Sequence, residues 1–191
     1  MAARSRLTPE RESELYEAVL DLLREAGYDG LTMDAVASRT HSSKATLYRQ
    51  WGSKAELVAK ALRSNKPVSL AEIDTGSLRG DFLTMVERSD TCQMEKDSAL
   101  MRGLAHAVHE NPDLHQALRE LLIEPEMTGL DELLRRAVDR GEVRADNPAL
   151  KLVPHMLIGA VVTRPLIDDR PVDQEFLATY LDAVVFPALG V

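Results

Sequence analysis

Aromatic residues are scarce in this chain: three Phe, four Tyr and one Trp among 191 residues. So few rings, with no convincing apolar/polar alternation, leave little material for β-sheet packing. Cysteine occurs once, as Cys92, so an internal disulfide is excluded and nothing ties the chain to an oxidising compartment. No apolar run approaches the ~20 residues of a bilayer span. The start, "MAARSRLTPERE", lacks the apolar centre of a secretion signal. Cytoplasmic residence is the expectation, with no membrane partner. A glycine-rich phosphate loop and a serine-elbow motif are absent too, and no base stands at nucleophile spacing from Cys92. No catalytic constellation is visible, and no cofactor is expected.

What is present is Leu, Ala, Glu and Arg at helical spacing, which predicts an all-α protein. Thr8 can cap a first helix, Pro9 suits its first position, and Gly27 suits the left-handed residue after its last turn. Leu15, Val19, Leu22, Leu23 and Ala26 form its apolar stripe. Thr32 caps a short second helix, with Leu31 and Val36 at the two positions of a hydrophobic staple. Ser42 and Ser43 offer a cap for a third, Lys44 to Trp51, which Gly52 stops. Ser53 with Glu56 reads as the capping box of a fourth. A connection over 64–77 follows, and then helical stretches near 78–91, 95–109, 112–123, 126–140, 147–163 and 173–187. Pro112, Pro125, Pro148 and Pro171 fall near helix starts, and Pro154 predicts a kink or break. Two domains are expected, 1–65 and 66–191.

Charge divides the same way. The whole chain carries −8, but residues 1–65 hold 10 Lys/Arg against 9 Asp/Glu (+1), leaving 13 against 22 (−9) for the rest. Between Ala35 and Ala55 stand Arg39, Lys44, Arg49 and Lys54, with no acid. Net charge governs solubility and steering, whereas phosphate contact depends on the local patch. Two short helices joined by a tight turn need flanking helices to hold them, which is helix-turn-helix architecture. The second helix of such a unit lies in the DNA major groove. Arg49 can pair with guanine and Gln50 with adenine, and the Thr46 methyl can pack on thymine. Lys44 and Lys54 suit phosphate, as do the Thr32 hydroxyl and nearby amides.

The segment "GLTMDAVASRTHSSKATLYRQWGSKAELVAKAL" resembles the DNA-binding domain of the tetracycline-repressor (TetR) family. The matching elements are Gly30-Leu31-Thr32, the Ala-rich second helix, Ser43 through Tyr48, Trp51, and Lys54-Ala55-Glu56-Leu57. The likeness covers roughly residues 10–63. It implies a three-helix DNA-binding domain with a helix-turn-helix, joined to a larger helical domain for effector binding and dimerisation. It also implies phosphate contacts from Thr32, Tyr48 and Lys54, and a groove-facing set of Lys44, Ala45, Thr46, Arg49 and Gln50. The chain departs from the usual family pattern with Thr40-His41-Ser42 before the third helix, where Ala-Gly-Val is common. Ala45 stands where glycine is frequent, and Gln50 where histidine or tyrosine is.

In the larger domain, "LKLVPHMLIGAVV" is apolar around most of its circumference, and the final helix has a wide apolar stripe. Leu157, Gly159, Ala160, Val161, Phe176, Tyr180, Leu181 and Val184 are the expected dimer contacts. Phe82, Met85, Met94, Met101 and Leu104, with Arg88, Cys92 or His106 as polar handles, are candidates for a pocket. His106, His109, Glu110 and His115 invite a test as metal ligands. The helix break at Asn111-Pro112 works against the three or four convergent donors a metal needs, so no metal is expected.

The function expected is a homodimeric transcriptional regulator, a repressor released from a pseudo-palindromic double-stranded DNA operator by a small-molecule effector. Two rivals are weighed: a helical enzyme with a structural N-terminal bundle, and a nonspecific DNA-binding protein. The first lacks a catalytic constellation, and the second is opposed by the strongly acidic C-terminal part.

Overall fold

The computed structural model describes residues 8–65, 70–89, 100, 104 and 106–191, and among them there is no strand. The all-α expectation holds. Two compact units divide the chain: Met1–Lys66 with Gly103–Ile123, and Pro67–Arg102 with Glu124–Val191.

In the first unit, α1 (Pro9–Gly30) begins at Thr8, whose hydroxyl accepts from the Arg11 amide, with Pro9 at the first position. Gly27 takes φ +68°, interrupting the regular helix before a last turn that closes from the Leu31 amide to the Gly27 carbonyl. Leu15, Val19, Leu22 and Leu23 are buried as the stripe predicts, joined by Tyr16 and Leu20. Ala26 instead lies exposed, although Leu22, Leu23 and Tyr28 on either side of it are buried. α2 (Met33–Arg39) starts at Thr32, and both staple residues, Leu31 and Val36, are buried.

The α2–α3 turn is a Schellman closure. The Ser42 amide donates to the Ala37 carbonyl (2.9 Å) and the His41 amide to the Ser38 carbonyl (3.4 Å). His41 is the left-handed residue, at φ +50°. Histidine here does what glycine would do more cheaply.

α3 (Lys44–Trp51) is capped by Ser43 and ended by Gly52 at φ +76°. It buries Leu47 and Trp51. The Trp51 indole N–H donates to the Tyr16 hydroxyl (3.0 Å), the two rings meet edge-on, and the Tyr16 hydroxyl donates to Glu12 (2.6 Å). Burial, reinforced by the Glu12 carboxylate, pushes the Tyr16 phenol up to about 12. α4 (Lys54–Ser64) is capped by Ser53, but only half of the expected box forms. The Glu56 amide donates to the Ser53 hydroxyl, while the Ser53 amide turns to the Trp51 carbonyl. α4 packs on α1, on α6 (Pro112–Leu118) and on the π-turn Arg119–Ile123.

The second unit contains a 3₁₀ turn (Leu70–Glu72), α5 (Leu78–Glu87), α7 (Glu124–Asp139), a 3₁₀ helix (Pro148–Leu152), α8 (Val153–Asp168) and α9 (Gln174–Tyr180). A π-turn (Leu181–Val185) and α10 (Phe186–Leu189) complete it. Its core gathers Leu78, Phe82 and Val86 with Leu130, Leu133, Val153, Leu181, Val185 and Phe186. Phe82 and Phe186 meet edge-on.

Two proline expectations resolve differently. Pro154 marks the 3₁₀-to-α junction, so the break is a change of helix type. Pro125 starts no separate helix: residues 112–139 are helical throughout, with the π-turn ending two residues before it. The second π-turn likewise ends two residues before Pro187. Widening the preceding turn relieves the clash between a proline ring and the carbonyl four residues back. Helical continuity through Pro154 also corrects the expectation about long apolar stretches. Pro148–Asp168 is, by length and composition, apolar enough to cross a membrane.

His41→Gly is expected to raise stability by roughly 0.5 kcal/mol, the relieved left-handed strain exceeding the entropy glycine loses; thermal melting measures it. Tyr16→Phe strands the Trp51 N–H in the core and is expected to cost about 1–3 kcal/mol at neutral pH. The sign of its pH dependence follows from a phenol titrating higher in the folded chain. The contribution of Tyr16 is complete below its ordinary value of 10.0 and is lost as pH rises toward 12. Denaturation followed by Trp51 fluorescence should therefore show the parent losing its advantage over Tyr16→Phe across that interval.

Candidate nucleic-acid interface

The face of α3 opposite Leu47 and Trp51 carries the residues that the sequence assigns to DNA. Lys44, Ala45, Tyr48 and Arg49 are exposed and Thr46 and Gln50 partly so. Tyr48 leaves 45% of its surface in solvent, a large share for an aromatic side chain. All six lie on one two-turn helix whose other side is fixed in the core. The Ser43 hydroxyl, 2.8 Å from that of Thr46, also accepts from the Thr46 amide and so holds the first turn.

Cations around this edge are not equally free. Lys44 donates to Asp34 in the first turn of α2 (2.7 Å), and that hydrogen bond pushes its pKa up. Both partners are exposed, so the pair is screened and can be exchanged for a phosphate. Arg49 makes no hydrogen bond or ion pair among the described residues. Arg39 is taken by Glu25 of α1 at 2.8 Å. The exposed Thr32 hydroxyl accepts from the Ala35 amide (3.1 Å), leaving its own O–H to donate.

Lys54 stands apart. Its ammonium donates to the carbonyls of Tyr28 (2.9 Å) and Leu31 (3.1 Å) and lies 4.0 Å from the centre of the Tyr28 ring. Burial pushes its pKa down. The sequence places it at phosphate; in the fold, its contacts are internal.

The remaining candidates separate between the units. Phe82 and Met85 belong to the second unit, Phe82 in its core and Met85 packed against it, while Arg88 is exposed after α5. Leu104 is buried in the first unit and His106 is exposed there. Met94, Met101 and Cys92 lie outside the described residues. Of the expected dimer contacts, Ala160 and Leu181 are buried within their own unit, and Leu157, Gly159, Val161, Phe176 and Tyr180 are partly buried. Val184 is exposed, together with Ile158, Val162, Leu166 and Ile167 of α8.

Sequence reasoning missed several residues that hold the interface. Tyr16 anchors Trp51, Asp34 engages Lys44, and the Arg11 guanidinium donates to the Thr40 carbonyl at the end of α2. Tyr16 shows a signal in hindsight: it lies on the same α1 face as Leu15, Val19 and Leu23.

Comparison with known proteins fits this geometry. Residues 15–61 match the family described as bacterial regulatory proteins, tetR family, and residues 72–184 match the tetracyclin repressor-like C-terminal domain. An uncharacterised HTH-type transcriptional regulator of Mycobacterium tuberculosis is 36% identical over 180 residues, covering 94% of this chain and 88% of that protein. A DNA-binding transcriptional repressor of Mycobacteroides abscessus is 32% identical over 176 residues, covering 92% of each. The crystal structure of a TetR-family transcription regulator superposes with a TM-score of 0.71 at 32% identity, over 94% of this chain and 98% of that one. The chain belongs to the TetR family of DNA-binding transcriptional regulators.

Proposed function

We propose that this regulator is a cytoplasmic homodimer that represses from a pseudo-palindromic operator and is released by a small molecule bound in its second unit. The exposed edge of α3 carries the DNA half of the reading. It offers Arg49 without a partner among the described residues, Tyr48 projecting into solvent, and Lys44 held by an exchangeable surface pair. Arg49 and Gln50 read base edges, with Lys44, Ala45 and Thr46 at the groove wall. Tyr48 and the Thr32 hydroxyl meet phosphates. These contacts involve no covalent chemistry. Their strength comes from counterion release and their selectivity from paired donors and acceptors.

The dimer half of the reading rests on α8. An amphipathic helix in a monomeric protein turns its apolar side inward, yet here Ile158, Val162, Leu166 and Ile167 face solvent. A contiguous apolar face of this kind marks an association surface. A second copy supplies the same face in reverse and gives the two-fold symmetry that an inverted-repeat operator requires. Val184, Phe176 and Tyr180 on the last helical segment extend it. The effector would act through its differential affinity for DNA-competent and DNA-incompetent conformers, typically about 1–3 kcal/mol of coupling.

Arg49→Ala is expected to weaken operator binding by about 1–3 kcal/mol and to relax base preference at one position of each half-site, with the dimer intact. Binding isotherms on single-substitution duplexes measure both effects; parent-like affinity and preference would remove Arg49 from the reading. Val162→Glu is expected to yield a helical monomer by sedimentation with operator affinity at least about tenfold lower, since a buried unpaired charge costs several kcal/mol. A Val162→Glu protein that remains dimeric would move the interface elsewhere.

A further inference from the structure

We propose that Asp34 is an internal competitor of DNA phosphate for Lys44, and that it thereby holds down the affinity of the α3 edge for any duplex. This inference rests on DNA binding by the family fold.

From Ala35 to Ala55 the sequence contains no acid, and the carboxylate that reaches this stretch comes from the residue just before it. Asp34 stands in the first turn of α2 and Lys44 at the first position of α3. A hydrogen bond of 2.7 Å from the ammonium to the carboxylate joins them across ten positions of sequence. An acid suits a helix N-terminus in general. Here, however, the same terminus carries the Thr32 hydroxyl assigned above to a phosphate, and a carboxylate two residues on repels one. The pair is not needed to hold α2 on α3. Met33 and Val36 of α2 and Leu47 and Trp51 of α3 are buried, and the Ala37 and Ser38 carbonyls close the turn between them. An exposed ion pair adds little to such packing. What remains for Asp34 is electrostatic.

The competition follows from shared chemistry. A carboxylate and a phosphate both offer anionic oxygens to an ammonium, at similar distances. The side chains of Lys44 and Asp34 are 48% and 72% exposed, so the ammonium can leave one acceptor for the other without unpacking the core. The hydrogen bond to Asp34 raises the Lys44 pKa, which keeps the ammonium charged for either partner. Transfer to DNA breaks the internal pair and leaves the Asp34 carboxylate beside a polyanion. Both costs fall on operator and non-operator duplexes alike. Binding is weaker than the same cation would give with no acid next to it.

The test compares the full-length parent with Asp34→Asn, Asp34→Ala, Lys44→Met and the Asp34→Asn/Lys44→Met double variant, measuring affinity for two duplexes at physiological salt. One duplex is enriched from random DNA by selection on the parent, and the other is unselected DNA of the same length. Thermal melting establishes that each variant is folded. Asp34→Asn and Asp34→Ala are expected to bind both duplexes roughly twofold to fivefold more tightly, the usual worth of an exposed ion pair. Asp34→Ala removes the acceptor altogether, which the isosteric Asn side chain does not. Lys44→Met is expected to bind more weakly than the parent. In that background Asp34→Asn should bring less than half of its gain, because the carboxylate acts through the ammonium. Parent-like or weaker binding by the folded Asp34 variants would overturn the inference. The full gain without Lys44 would overturn it equally, since Asp34 would then act by general repulsion of DNA. A parent that binds neither duplex would instead remove the DNA-binding reading on which the inference stands.

Discussion

Eight residues of helix do not hold themselves in water, and the recognition helix is only Lys44–Trp51. Its orientation depends on the hydrogen bond from the Trp51 indole to the Tyr16 hydroxyl, made in the core across 35 residues of sequence. With Leu47 buried beside it, Trp51 fixes one side of α3 so that Tyr48 and Arg49 must face out. Glu12 accepts a hydrogen bond from the Tyr16 hydroxyl, whose oxygen lone pair then accepts from Trp51. The Schellman turn before α3 and Gly52 after it then set where the helix begins and stops.

Electrostatics follows from this scaffold rather than from bulk charge. In the proposed reading this acidic chain meets DNA through a local edge, and its net charge of −8 argues for selectivity over indiscriminate adhesion. Each cation near that edge has a different state. Arg39 is committed to α1, Lys44 is held by an exposed partner that a phosphate can replace, and Arg49 makes no pair among the described residues. Lys54 is turned inward on backbone carbonyls. Four similar charges in one stretch of sequence thus have different surroundings.

What could be read from the sequence was local. Thr8, Thr32, Ser43 and Ser53 each accept an amide three residues on, because capping is chemistry within one turn. His41 stands where the family commonly has glycine, and it takes the left-handed conformation that such a glycine supplies. Contacts that close over distance were not legible. Nothing near Lys54 announces the Tyr28 carbonyl, and nothing near Thr40 announces Arg11. Proline was misleading where a π-turn absorbs it, since the widened turn depends on how the whole helix packs. The candidate pocket residues were chosen by type alone, and the fold divides them between two units.

The apolar face of α8 and the solvent edge of α3 make complementary demands. In the proposed reading, one takes a second copy of the chain, and the other takes DNA whose halves repeat by the same two-fold. That joint requirement is the central claim. Selection of random duplex DNA on the folded protein at physiological salt, followed by sequencing, tests it most directly. The account expects two inverted half-sites at a fixed spacing. Enrichment of a single unrepeated half-site, or no enrichment at all, would contradict it.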